Sequence, residues 1–295
     1  DIYTGSEQGV FSNCISFKNN AFFTADDGTG KKLWKSDGTG TGTMVVKDIQ
    51  PLEHPFEWVI LNNYLYFNAD DGISGKELWR SDGTESGTEM VKDINPSGDS
   101  NPRYLTVVSD SIFFSAHDGT NGNQLWKSDG TNVGTVMIKE ITGGGVWVYP
   151  FFQAAGDVLF FVGHDDVHGS ELWISDGSES GTELVEDIRP GTVGSVGCGV
   201  GCFVDAIGDI LYFNAGDGGI HGNELWRSDG TSAGTFMVKD INPLASSYLM
   251  YEDDSAVMGG ELFFNPDDGS HGHELWRTDG SETGTELIKD IHLSG

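Results

Sequence analysis

Six short acidic loops carry the side chains whose types and spacing could do chemistry. They read ADDGTGKK (25–32), ADDGISGKE (69–77), AHDGTNGNQ (116–124), HDDVHGSE (164–171), GDGGIHGNE (216–224) and PDDGSHGHE (266–274). In three of them a second Asp precedes a terminal Glu, and the Asp of a Lys-Asp-Ile phrase or its equivalent follows further on. Asp71, Glu77 and Asp93 make one such set, Asp166, Glu171 and Asp187 another, Asp268, Glu274 and Asp290 a third. Calcium takes several hard oxygens from carboxylates and loop carbonyls, so calcium is the cofactor this pattern would serve. The spacing is not that of an EF-hand loop. Plain Asp-Gly turns, with Glu77 paired to Lys92, would use the same residues. His168, His221 and His271 stand just before the second loop Gly in three successive units. They occupy equivalent positions about a unit's width apart, too far for one ion to take all three. Hydrogen bonding to solvent or to a hydroxylated ligand is the reading for them.

The segments between units hold the remaining candidates. They read YTGSEQGVF (3–11), QPLEHPFEW (50–58), NPSGDSNPRY (95–104), TGGGVWVYPFF (142–152), RPGTVGSVGCGVGCF (189–203) and NPLASSYLMYEDDS (242–255). Unlike the loops, they do not resemble one another. They contain Trp58 and Trp147, the two tryptophans outside the repeated phrase, together with Tyr104, Tyr149, Tyr248 and Tyr251. Flat aromatic faces stack on sugar C–H groups, and carboxylates and amides accept from hydroxyls. A neutral carbohydrate is therefore the expected ligand. Trp58 shares a column with Cys14, Leu105, Phe152 and Val204, and also reads as a plug between units. Trp147 follows Gly143-Gly144-Gly145 and is the better platform, with Tyr149 and the Asp165-Asp166 loop beside it.

Catalysis has less support. No G-x-S-x-G, H-E-x-x-H or P-loop occurs. Carboxylates are so numerous that a pair carries no information about a glycosidase. A glycan-degrading hydrolase or lyase would need an acid and base outside the repeat, and His54, Tyr149, Tyr251, Asp253 and Asp254 are the candidates. The chain has five arginines; Arg80, Arg227 and Arg277 share one repeat slot, so a central arginine cluster for sialic acid is not available. A structural or adhesive protein-binding module is a third reading.

Charge narrows the partners. Sixteen Lys and Arg stand against 46 Asp and Glu, a net charge of −30. Such a chain repels nucleic acid and anionic membranes and suits cationic or neutral ligands. No apolar run reaches the length of a spanning helix, so no membrane insertion is expected. Three cysteines do not make a disulfide framework. Cys198 and Cys202 could close one small loop in an oxidising compartment, and Cys14 reads as a small buried apolar residue. The chain opens Asp-Ile-Tyr without an initiator Met and reads as processed, hence secreted.

These candidates need a scaffold, and the repeat supplies it. The core phrase is KLWKSDGTGTGT (32–43), ELWRSDGTESGT (77–88), QLWKSDGTNVGT (124–135), ELWISDGSESGT (171–182), ELWRSDGTSAGT (224–235) and ELWRTDGSETGT (274–285). The tryptophans at 34, 79, 126, 173, 226 and 276 recur every 45 to 53 residues. Each unit reads as four short strands rich in β-branched and aromatic residues and punctuated by Gly and Asp. In the third unit these are Tyr104–Val108, Ile112–Ala116, Gln124–Ser128 and Thr135–Ile141. Six units of four antiparallel strands predict an all-β, six-bladed β-propeller in one domain, with blades near 1–49, 50–94, 95–141, 142–188, 189–241 and 242–295. Closure by face-to-face packing of the end blades is expected. The Trp column should wedge between neighbouring blades, and Asp-Gly-Thr should form the third hairpin turn, with Gly at positive φ.

The phrase ELWxxDGTxxGT resembles a repeat family named for that motif, found in predicted exported bacterial proteins. The match runs through all six units, with departures at Lys32, Gln124, Ser178 and Ser281. The resemblance implies extracellular placement and a propeller-like β fold, and it brings no catalytic residues. The combined expectation is a non-catalytic, secreted, lectin-like propeller that binds neutral carbohydrate or cell-surface glycan, with calcium as a candidate cofactor.

Overall fold

The computed structural model describes residues 11–51, 58–141, 143, 145–146, 152–196, 203–219, 221–247 and 255–291. They form six antiparallel sheets, three in each of two compact units, Asp1–Glu140 and Ile141–Gly295. In the first unit the sheets are Phe11–Phe17, Asn20–Asp26, Lys31–Ser36, Met44–Lys47; Val59–Leu61, Tyr64–Asp70, Lys76–Ser81, Thr88–Lys92; and Arg103–Val108, Ser111–His117, Asn123–Ser128, Val136–Lys139. In the second they are Phe152–Ala155, Val158–Asp165, Gly169–Ser175, Thr182–Glu186; Phe203–Ile207, Ile210–Gly216, Asn223–Ser228, Phe236–Lys239; and Ala256–Met258, Glu261–Phe264, Leu275–Thr278, Glu286–Lys289. We call the four strands of each sheet A to D. Two short pieces, Gln50–Pro51 and Gly145–Val146, also pair with strand B of their sheets. Among the described residues the one helical element is a single turn, Ser232–Gly234.

Local chemistry accounts for the turns. Between strands A and B, Lys18-Asn19 and Asn62-Asn63 all have positive φ, the backbone that two-residue hairpins require and Asn tolerates. The Asp-Gly-Thr turn between strands C and D is a network. Asp82 Oδ1 accepts from the Thr84 amide at 2.8 Å and the Thr84 hydroxyl at 2.7 Å, while Thr84 Oγ1 accepts from the Gly87 amide at 3.0 Å. Ser81 and Thr88 hydroxyls join at 2.7 Å below it. The last Gly of the phrase is needed because a Cβ at Gly87 would overlap the Asp82 carboxylate, and Gly42, Gly134, Gly181, Gly234 and Gly284 repeat the contact.

Every sheet slips register between the Leu and Trp of strand C, as at Leu78/Trp79 and Leu225/Trp226. A bulge of this kind increases local twist and re-aims the side chains around it. Within each unit Trp then packs on the preceding sheet, as expected. Trp79 joins Leu33, Val46 and Ile49, and Trp126 joins Leu78, Val91 and Ile94. Trp276 joins Leu225, Val238 and Ile241 in the second unit.

Repeated cations complete these junctions. Lys35 Nζ donates to the Gly83 carbonyl of the next sheet at 2.7 Å, and Arg80 to that of Gly130 at 2.8 Å. Lys47 Nζ reaches the Thr88 carbonyl at 2.7 Å, Lys92 that of Thr135 at 2.8 Å, and Lys239 that of Thr285 at 2.7 Å. The expected pairing of Glu77 with Lys92 is therefore replaced by a bond between sheets. Cys14 is exposed, against the expectation of burial. It precedes Phe17, whose buried ring faces Phe22.

Candidate binding face

Strand directions put the B–C loops and the D–A connections at one end of each sheet. The terminal Glu of the loop is fully buried there in sheets two, four and five. Glu77 accepts from the Ile94 amide at 2.9 Å, the Asn95 amide at 3.3 Å and the Ser100 hydroxyl at 2.6 Å. Glu171 accepts from the Ser195 amide at 2.8 Å, from the Ser195 hydroxyl, and from the Ile188 and Arg189 amides at 3.4 and 3.3 Å. Glu224 accepts from the Ile241 amide at 2.9 Å, and Glu274 from that of Ile291 at 3.0 Å. These carboxylates hold the D–A connection against its own sheet.

Ser100 carries the link onward: its carbonyl accepts from the His117 amide of the next sheet at 2.9 Å. Ser195 does the same with Gly216 at 3.1 Å and Ser247 with Asp267 at 2.7 Å. No repeat pattern marks these serines, because they sit seven to eight residues past the Asp of Asp-Ile in connections of unequal length. Burial raises all three carboxyls above the ordinary Glu range, Glu171 and Glu224 to about 7, although the donors around them pull the other way. The neighbouring charges of Asp93 and Asp240 add to the rise at Glu77 and Glu224.

The loop aspartates act as turn staples. Asp71 Oδ1 accepts from the Ile73 and Ser74 amides at 2.9 and 2.7 Å. Burial works against this carboxylate, but those donors hold it below the usual range. Asp268 accepts in the same way from Ser270 and His271. In sheet four the staple is Asp165 rather than the expected Asp166: Asp165 Oδ1 accepts from the Val167 and His168 amides at 2.8 and 2.7 Å. Counted back from the last loop residue, Asp166 stands where the loops of sheets two, three, five and six have Gly.

For calcium, the donor sets are divided. The Glu77 and Glu171 oxygens and Asp71 Oδ1 already take amide and hydroxyl hydrogens, and Asp93 is exposed. Glu224 Oε1 and one oxygen each of Asp187, Asp240 and Asp290 are buried without a partner, while among the described residues no three His, Cys, Asp or Glu groups converge.

The histidines are oriented by the same staples. His168 Nδ1 lies 2.9 Å from Asp165 Oδ2, His271 Nδ1 2.7 Å from Asp268 Oδ2, and His221 Nδ1 3.4 Å from Asp217 Oδ2. The adjoining carboxylates raise the His168 and His271 imidazoles above their ordinary value. Each partner is within its own loop, so the three rings remain separate features.

The aromatic candidates divide. Trp58 is buried against Phe67, with ring centroids 5.4 Å apart, so it is a packing residue and no ligand platform. Tyr104 sits half-buried at a bulge in strand A, with φ 60°, rather than in an open connection. Trp147, Tyr149, Tyr248 and Tyr251 lie outside the described residues, as do His54, Cys198, Cys202, Asp253 and Asp254.

No protein-family model matches the chain, and no curated protein matches it. Solved structures match it in fold. A prolyl endopeptidase studied for the role of inter-domain dynamics in catalysis and specificity superposes with a TM-score of 0.50 at 14% identity, over 95% of this chain and 42% of that one. Prolyl oligopeptidase B from Galerina marginata, bound to a 35mer hydrolysis and macrocyclization substrate, gives 0.51 at 10% identity, over 95% and 43%. The chain thus spans less than half the length of these proteins, and the likeness is one of β-propeller fold.

Proposed function

We propose that this chain is a secreted six-bladed propeller of the ELWxxDGT type that binds a neutral carbohydrate, such as a cell-surface glycan, without catalysis. The binding face is the end of the sheets that carries the B–C loops and D–A connections. One observation carries the reading: the repeated polar residues are occupied in holding strands and sheets. Glu77 clamps a connection, Lys92 bridges to the next sheet and Asp82 closes a turn. Chemistry is thereby left to what differs between units, the connections and the loop tips. Loops on a rigid repeat scaffold are where binding residues usually sit.

His168 and His271 add to this reading. Each presents a half-exposed imidazole fixed by a neighbouring Asp, a polar group of set orientation suited to a sugar hydroxyl. Trp147 and Tyr149 supply the apolar platform. The engagement of Glu77 and Glu171 as clamps supports a metal-independent form of this binding. The peptidase activity of the fold neighbours is not part of the proposal.

Calorimetric titration with a neutral oligosaccharide tests it. Trp147→Ala should weaken binding by about ten-fold, given an aromatic contact worth about 0.5–1.5 kcal/mol beyond area burial. His168→Ala should weaken it to a smaller degree, and neither change should lower the melting temperature. A Trp147→Ala protein with intact affinity and a melting temperature lower by many degrees would make Trp147 a packing residue and sink the assignment.

A further inference from the structure

The loop of sheet four and the connection that follows that sheet carry two charged side chains that depart from the repeat. Asp166 stands at a loop position that is Gly in sheets two, three, five and six. Arg189 stands where the other units have Gln50, Asn95, Thr142, Asn242 and His292. Among the described residues neither makes a side-chain hydrogen bond or an ion pair, although 46 carboxylates surround one arginine with candidates. The repeat arginines differ. Arg80 and Arg277 pair with Glu89 and Glu286, and Arg227 reaches the Gly280 carbonyl.

Each of the two charges lies against a glycine of another segment. Gly143, with φ 98°, stands in the connection that leads to Trp147, and a Cβ there would overlap the Asp166 carboxylate. Gly218, with φ 74°, stands in the loop of sheet five, and a Cβ there would lie 2.8 Å from Arg189 Nε. At both places glycine leaves the room that any other residue would take. The sheet-four loop and the connection after it form one packed piece. A Cβ on Gly169 would lie 2.7 Å from the Thr192 carbonyl oxygen, and the Val196 amide donates to the Ser170 carbonyl at 3.2 Å. The Arg189 amide is fixed to Glu171 at 3.3 Å. His168, half-exposed and held by Asp165, belongs to the same piece. Asp165 already staples the loop through the Val167 and His168 amides, so the turn does not need Asp166.

We propose that Asp166 and Arg189 are the pair that selects the sugar on this face, Asp166 accepting from one hydroxyl and Arg189 donating to the oxygens of two adjacent hydroxyls. This rests on the carbohydrate reading above and names the group recognised, the vicinal diol of a neutral sugar. A guanidinium presents its N–H groups as a rigid fork, and hydrogen bonds with one ionised partner are stronger than neutral ones. One anion and one cation cancel, so the pair adds no pull toward an ionic ligand.

Affinity electrophoresis of the whole chain through gels containing dextran, mannan, galactan or xylan, with polygalacturonate as the carboxylated probe, tests this. At least one neutral polymer should retard the chain, and periodate oxidation of that polymer, which cleaves vicinal diols, should abolish the effect. Arg189→Met and Asp166→Asn should each weaken the retardation by about ten-fold. Both variants should melt within about 2 °C of the unaltered chain, since neither side chain has a partner to lose. Retardation that survives both substitutions, or survives periodate, overturns the pair and leaves the carbohydrate reading standing. So does a loss accompanied by a melting temperature lower by many degrees, which would make the two residues packing elements. Retardation by polygalacturonate alone, weakened by salt and lost in Arg189→Met, would put a carboxylate at Arg189 and overturn the neutral diol. No retardation by any polymer would overturn the pair together with the reading it rests on.

Discussion

The Ser100 hydroxyl donates to the Glu77 carboxylate at 2.6 Å, while the Ser100 carbonyl takes the His117 amide at 2.9 Å. One small residue in a variable connection thus ties the buried acid of one sheet to strand B of the next. The same arrangement at Glu171 and Ser195 makes it a device of the fold rather than an accident of one loop.

Removing the acid should cost more than removing the hydroxyl. Ser100→Ala deletes one bond to a buried charge, a loss of about 1–3 kcal/mol. Glu77→Ala leaves the Ile94 and Asn95 amides without their acceptor and should cost about 3 kcal/mol or more. Chemical denaturation measures both. Losses below about 0.5 kcal/mol would mean that the clamp is ornamental.

Stability should fall as pH rises through the neutral range. Glu171 and Glu224 have carboxyls raised to about 7 in the folded protein, above their ordinary value of 4.5. Between those values the native state holds more protons than the unfolded chain, so the slope of stability against pH is negative there. The turn aspartates act oppositely. Asp82 and Asp129 are held below 3.8, chiefly by the hydroxyls and amides of Thr84 and Thr131, and their contribution is lost as pH falls through their folded values. Melting temperatures should therefore peak near pH 4–5 and decline toward pH 8. Glu171→Gln with Glu224→Gln should flatten the decline. A melting temperature that climbs from pH 5 to pH 8 would contradict this.

Glycines of the repeat should separate sharply by position. Gly87→Ala forces a Cβ into the Asp82 carboxylate and should destabilise by about 1–3 kcal/mol. Gly98→Ala meets nothing within 4 Å and should be neutral or slightly stabilising. Urea midpoints of the two variants decide the matter, and equal midpoints would show that the close approach in the turn is not felt.

Cys14 should react in the folded protein. Its exposure predicts modification by a thiol reagent without denaturant, at a rate that Cys14→Ser removes. Protection of Cys14 until unfolding would place it in the interior after all.

Much of this fold was legible because its signals are local and six times repeated. Asp-Gly-Thr dictates its own hairpin, and Trp79 and Trp276 announce a wedge by size alone. The role of Glu77 was not legible, since its partners arrive from a connection 17 to 23 residues away. Lys92 was misread for a related reason: its acceptor is a main-chain carbonyl on another sheet, which no side-chain pattern reveals. In sheet four the loop lacks its Gly, so matching Asp by rank chose Asp166, where counting back from Glu171 finds Asp165. Trp58 could not be told from a ligand platform by type, and only its contact with Phe67 settles it.

A glycan array probed with the whole chain, with and without chelator and with released sugar assayed in parallel, tests the central claim most directly. The account predicts retention of at least one neutral glycan at equal strength in both conditions, with no product released. Release of sugar fragments, or an array on which no neutral glycan is retained, would contradict it.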